Sequence, residues 1–201
     1  MTTTMKKPAR RRLTGEEVAR LVRPAAASDE RGWDALVDEF GGMIWAVARA
    51  HRLGDADAAD VAQATWLRLL EHVDGLREPA RVGAWLATTA RRECLRILRN
   101  SRRLPPLGEN VTEHESPDAP VDEALLLAAR DEVLWHAFIR LPASDQALLR
   151  LLMADPRPTY EEVSAALGMP IGSIGPTRAR ALERLRQRLD SEASLALLSN
   201  E

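Results

Sequence analysis

Near its C-terminal end this chain stops one helix and starts another with almost no room between them. Thr159 is an N-cap candidate, and Glu162, three positions on, completes a capping box. Val163, Ala166 and Leu167 give one apolar stripe. Gly168 can take the left-handed conformation that ends a helix, and Pro170 blocks its continuation. Ser173 is expected to cap the next helix, with Gly175 and Pro176 in its first turn, where a missing N–H costs little. That helix, Ser173 to Leu189, carries Arg178, Arg180, Arg184, Arg186 and Arg188 against Glu183. Helix, tight turn and basic helix is the layout that places one helix in a DNA major groove.

A net charge of −2 argues against such a role until its distribution is followed along the 201 residues. From Arg81 to Arg103 the bases are Arg81, Arg91, Arg92, Arg96, Arg99, Arg102 and Arg103, against Glu93. From Glu109 to Glu123 the acids Glu109, Glu113, Glu115, Asp118, Asp122 and Glu123 stand without a Lys or Arg. Two basic helical patches thus flank an acidic connector, and basic patches are the electrostatic footprint of a phosphate backbone. Solvated surface explains a single charge run. It does not explain two at helical spacing, one of them on a helix-turn-helix.

The remaining bulk properties narrow the class. No apolar run approaches the ~18–20 residues of a membrane span. The basic N-terminus (Lys6, Lys7, Arg10, Arg11, Arg12) is not followed by a signal-peptide core, so a cytoplasmic protein with no membrane partner is expected. The single cysteine, Cys94, rules out an intrachain disulfide and a multi-cysteine metal site. His51, His72, His114 and His136 show no ligand spacing. No nucleotide loop or nucleophile–base pair appears, so no catalytic residue, metal or cofactor is expected.

Almost everything reads helical, with no sustained period-2 alternation. Residues 1–27 are basic and Pro/Ala-rich and read as a flexible arm. Trp33, Leu36, Val37, Phe40, Ile44 and Val47 stripe one helix, which Gly54 and Asp55 break. A second helix begins at Asp57, with Val61, Trp66, Leu69, Leu70 and Val73 inward. Val82, Trp85, Leu86, Thr89, Ala90, Ile97 and Leu98 stripe a third, whose other face carries the arginines. Pro105, Pro106, Gly108, Pro117 and Pro120 make 104–120 a linker. Asp122 then caps a helix holding Leu125, Leu134, Trp135 and Phe138. Ser144 caps another with Ala147, Leu148, Leu151 and Leu152. The expected fold is all-α: two small helical bundles, 28–103 and 121–190, joined by a flexible linker, with a tail at 191–201.

Four segments in this order resemble the RNA polymerase sigma factors of the extracytoplasmic-function (ECF) class, over about Trp33 to Asp190. Asp57-Ala58-Ala59-Asp60-Val61-Ala62-Gln63 resembles the acidic motif before the polymerase-docking helix. Val82-Gly83-Ala84-Trp85-Leu86 resembles the start of the promoter-melting segment. Leu141-Pro142 with its apolar helix resembles the entry to region 4. Tyr160-Glu161-Glu162-Val163 through Gly172-Ser173-Ile174 resembles that region's helix-turn-helix.

The resemblance implies region 2 at 28–103, region 4 at 121–190, and a dissociable initiation subunit that directs polymerase to promoters. Its partners would be core RNA polymerase, through the largest-subunit clamp and the flap, and promoter DNA. An anti-sigma factor, which holds many members inactive, is left open. Asp57, Asp60 and Gln63, with Arg68, would meet core polymerase. Thr88, Thr89, Arg91 and Arg92 would lie near the bases of the −10 element, with Arg96 and Arg99 near its phosphates. Ser173, Thr177, Arg178, Arg180 and Arg184 would read the −35 duplex, where an arginine fork on guanine gives ~1–3 kcal/mol of discrimination. Arg92 stands where some relatives carry asparagine. Gly175-Pro176 replaces polar or basic residues common at the recognition-helix start, so the −35 sequence cannot be copied from other members. Trp85 and Cys94 read as packing residues. A stand-alone regulator with an N-terminal sensor bundle would explain the second basic patch but not the first. An all-helical enzyme would need chemistry that no motif here supplies.

Overall fold

In a computed structural model of the chain, the structure describes residues 11–27, 29–101 and 132–198. The linker at 104–120, the cap at Asp122 and Leu125 lie outside those residues. Every regular element among the described residues is helical. The main helices are α1 (Gly15–Ala26), α2 (Glu30–Ala50), α3 (Asp55–His72), α4 (Val82–Ser101), α5 (132–139), α6 (Ala143–Leu152), α7 (Tyr160–Leu167) and α8 (Ile171–Leu198).

The first helix is a departure from the expected arm. Thr14 and Glu17 form a capping box, with Thr14 N–H donating to Glu17 Oε2 at 2.7 Å and Glu17 N–H to Thr14 Oγ1 at 3.3 Å. Val18, Val22 and Ala25 then bury one narrow face. That face is only three residues wide among Arg, Glu and Pro, so composition hides it and packing on α2 makes it.

α2 starts at Asp29, whose side chain accepts from Arg31 N–H at 3.0 Å. Leu36, Phe40, Met43, Ile44 and Val47 are fully buried, but Val37 faces solvent. Arg49 closes the corner after α2, donating to Leu53 O and Asp55 Oδ1, each at 3.0 Å. α3 consequently begins at Asp55, ahead of the expected Asp57. It buries Ala58, Val61, Thr65 and Leu69, whereas Leu70, expected inward, is 58% exposed beside Leu67 at 53%. Two short 3-10 turns, Val73–Gly75 and Pro79–Arg81, lead into α4.

Cap positions in the C-terminal half shift by one or two residues, the usual scatter of helix ends. α6 starts directly after Leu141-Pro142, so Ser144 lies inside its first turn and does not cap it. α8 starts at Ile171; Ser173 is therefore inside the helix, donating its hydroxyl to Pro170 O at 2.7 Å. Pro176 falls beyond the first turn, within the helix. Leu134 and Trp135 are exposed on α5.

One apolar core runs through both halves. Leu36, Phe40, Ile44, Val61, Leu69 and Leu86 share it with Leu148, Leu151, Val163, Ala166 and Ile174. A smaller cluster of Leu141, Leu149 and Ala181, with Phe138 and Leu185 against it, ties α5, α6 and α8. Cys94 is buried in the main core, and burial pushes its thiol up to about 12. Native chain is therefore expected to resist iodoacetamide at neutral pH and to react only after denaturation, since the thiolate is the nucleophile. Mass-spectrometric labelling checks this. Rapid native labelling would show the helix opening.

Candidate polymerase and nucleic-acid interfaces

On α3 the acidic motif presents Asp60 and Gln63 to solvent, with Asp57 half-buried one turn earlier. Gln63 rims an apolar depression of about 400 Å³ lined by Trp33, Trp66, Leu67 and Leu70. The stripe reading put Leu70 inward, because periodicity tells that a residue is apolar but not what it faces. Arg68 is engaged elsewhere: its guanidinium meets buried Glu93 on α4 at 2.9 Å. Arg96 reaches the same carboxylate at 2.7 Å. Arg68 and Arg96 thus clasp α3 to α4 around a buried acid.

The residues expected near single-stranded bases divide into two groups. Thr88, Thr89 and Arg92 line an open depression of about 390 Å³ with Trp85, Arg77 and Arg81. The two threonine hydroxyls donate back to Ala84 O and Trp85 O, each at 2.9 Å, which leaves their oxygens as acceptors only; Thr88 is half-buried and Thr89 buried. Trp85 is half-buried, its ring centroid 6.2 Å from that of His72. Arg99 is exposed farther along α4. Arg91 belongs to the other group. It is half-buried beneath the turn of the helix-turn-helix, with its Nε buried and without a hydrogen-bond partner.

That turn forms as its local chemistry dictates. Thr159 N–H donates to Glu162 Oε2 at 2.7 Å, and Glu162 N–H to Thr159 Oγ1 at 3.2 Å. Gly168 ends α7 with φ 67° and ψ 35°. A Cβ there would lie 2.7 Å from Arg91 Nη2, so both backbone conformation and space select glycine. Gly168→Ala is expected to cost about 1 kcal/mol or more and to lower the melting temperature by about 2–4 °C. Calorimetry reads the shift; an unchanged midpoint would remove the strain.

On α8, Ser173, Thr177, Arg180 and Arg184 follow one another at helical spacing along one face. Arg180 is exposed, with one guanidinium nitrogen 3.3 Å from Thr177 Oγ1. Arg184 is committed to buried Asp145 on α6, Nε to Oδ2 at 2.7 Å, and holds α8 in place. Arg178 turns away from this face. It lines an apolar groove of about 560 Å³ with Leu134, Trp135, Phe138, Arg150 and Met153, the last 83% exposed. The Trp135 and Phe138 rings stack with centroids 5.8 Å apart, and the Arg150 guanidinium lies 5.7 and 5.3 Å from them. Burial and the nearby Arg49 and Arg52 pull the Arg150 pKa down.

Among the described residues no group of His, Cys, Asp and Glu is arranged to hold a metal, and no helix is long and apolar enough to cross a membrane.

Residues 36–104 match the family model for Sigma-70 region 2. The RNA polymerase sigma-E factor of Streptomyces avermitilis is 32% identical over 139 residues, 67% of this chain and 72% of the relative. The ECF RNA polymerase sigma factor RpoE of Cereibacter sphaeroides is 32% identical over 137 residues, 66% of this chain and 70% of the relative. SigL of Mycobacterium tuberculosis, another ECF RNA polymerase sigma factor, is 26% identical over 171 residues, 82% of this chain and 93% of its own. The solved structure of CnrH in complex with the cytosolic domain of CnrY shares the fold, with a TM-score of 0.55 at 21% identity. It covers 87% of this chain and 97% of that one. On the acidic motif, the region 2 match and these relatives, the chain belongs to the ECF RNA polymerase sigma factors and is a transcription initiation factor.

Proposed function

We propose that this sigma factor docks on core RNA polymerase through α3 and the groove between α5, α6 and α8, reads the −35 duplex with α8 and traps the −10 strand along α4. The observation that carries the reading is the row of half-buried Ser173 and Thr177 and exposed Arg180 on a helix fixed farther along the same face by Arg184 and Asp145. An arginine on a rigid helix loses little freedom when it forks onto guanine. Asp60 and Gln63 beside the Leu67–Leu70 depression combine charge-assisted acceptors with apolar area, as a clamp-docking face needs. The Trp135–Phe138 groove supplies apolar area for the flap, with Arg150, Arg157 and Arg178 as cationic donors. On α4, Arg92 and Arg99 give cations for a freed strand, and the Thr88–Thr89 depression beside Trp85 gives space for a base. Arg91 would join them only once the helix-turn-helix moves off it. The fold shared with CnrH, solved with the cytosolic domain of CnrY, favours a further protein partner here in the role of an anti-sigma factor.

The test separates DNA reading from polymerase docking. With reconstituted holoenzyme on a responsive promoter, Arg180→Ala is expected to weaken −35 protection by about 5- to 150-fold, the equivalent of ~1–3 kcal/mol. Core binding should be unchanged. Equal losses in both assays would remove Arg180 from the DNA face.

A further inference from the structure

The two halves are joined by a polar seam besides the shared apolar core. Arg12, two residues ahead of the α1 cap, inserts its guanidinium between two buried carboxylates. One is Glu39 on α2, at 3.2 Å; the other is Glu162 on α7, the N3 residue of the helix-turn-helix. The same guanidinium lies 5.1 Å from the centre of the Phe40 ring. Gly83 leaves the space for this: a Cβ there would fall on the Glu162 carboxylate and on Phe40. Burial pushes the Glu162 carboxyl up, and Arg12 opposes it. Around this centre Arg81 meets Glu161 at 2.8 Å, His51 Nε2 donates to Ala166 O at 3.2 Å, and Arg150 donates to Arg49 O at 3.1 Å. The result covers Arg91 with the turn at Gly168.

We propose that the N-terminal segment is an intramolecular latch, in which Arg12 grips Glu39 and Glu162 together and holds the helix-turn-helix module down on α4, so that the free chain is closed and partly masks its own strand-binding face. The masking half rests on the function proposed above; the latching half does not. Three features set Arg12 apart from an ordinary surface pair. Both its carboxylates are buried, they belong to different halves of the chain, and the capping box at Thr14 fixes the backbone from which it reaches. One cation between two buried acids neutralises neither fully alone. Removing it leaves two buried carboxylates facing each other without their cation, which drives the halves apart.

Single-molecule energy transfer on the full chain tests this, with dyes at Asp74→Cys and Ser144→Cys, both exposed positions on opposite halves. The unmodified background is expected to show one high-transfer population. Arg12→Ala is expected to move most molecules to low transfer. Glu162→Gln, which removes the charge while Gln preserves the capping box, is expected to do the same with unchanged circular dichroism. If both variants keep the high-transfer population, the latch is overturned, whether or not the chain binds polymerase. The second arm measures binding of a single-stranded DNA oligonucleotide to the free chain, expected to be several-fold tighter for both variants because the closed fraction is removed. Opening without tighter binding would overturn the masking half alone.

Discussion

Phe40→Ala is expected to destabilise the folded chain by about 3–5 kcal/mol, the range for removing a fully buried aromatic ring. Phe40 is completely buried, lies against the site that Gly83 leaves open, and carries the Arg12 guanidinium over its ring. Its loss would empty the point where α2, α4, α7 and the N-terminal segment meet. The melting temperature should fall by roughly 6–20 °C at about 2–4 °C per kcal/mol. Val37→Ala is the matched control, three residues away on the same helix but exposed, and should stay within about 0.5 kcal/mol. Urea denaturation of the two variants decides. Equal midpoints would mean that α2 does not present the face described.

That contrast also marks what sequence can and cannot carry. Phe40 and Val37 fall on the same apolar stripe by spacing, and only tertiary packing separates them. The capping box at Thr159 and Glu162 and the stop at Gly168 were legible because each is decided within four residues. α1 was not, because three small buried side chains gain their meaning from α2. Leu70 breaks the expected inward pattern, because spacing along α3 does not show which apolar side chains another element covers. Arg12 and Glu162 are 150 residues apart, and no local pattern joins them. Of the expected DNA and polymerase residues, Arg68 and Arg96 meet Glu93, Arg91 lies under the Gly168 turn and Arg184 meets Asp145, so all four are engaged within the fold. An arginine run shows charge at helical spacing; it does not show which arginines find a carboxylate.

Leu67→Asp together with Leu70→Asp is expected to weaken capture of core polymerase by about 30-fold or more, in the range of a lost interface hot spot at ≥ ~2 kcal/mol. Both side chains are more than half exposed, at 53% and 58%, so the fold should not suffer. Two carboxylates placed in an apolar depression would have to be desolvated on docking, with only a partner's cations to offset the cost. Gln63→Ala and Asp60→Ala on the rim should each weaken capture less, since rim contacts contribute little when solvated. Equilibrium binding to purified core, with thermal melts alongside, gives the ranking. Unchanged capture by the double variant would place the docking face elsewhere.

The most direct measurement is run-off transcription of fragmented genomic DNA from the source organism by purified core polymerase, with and without this chain, followed by mapping of the 5′ ends. A sigma factor that works through two separated DNA faces should yield transcripts from discrete starts, absent without it, preceded by two shared elements at constant spacing. Arg180→Ala should lose those starts while still binding core. Transcription unchanged by the chain, or starts without any common upstream element, would contradict the account.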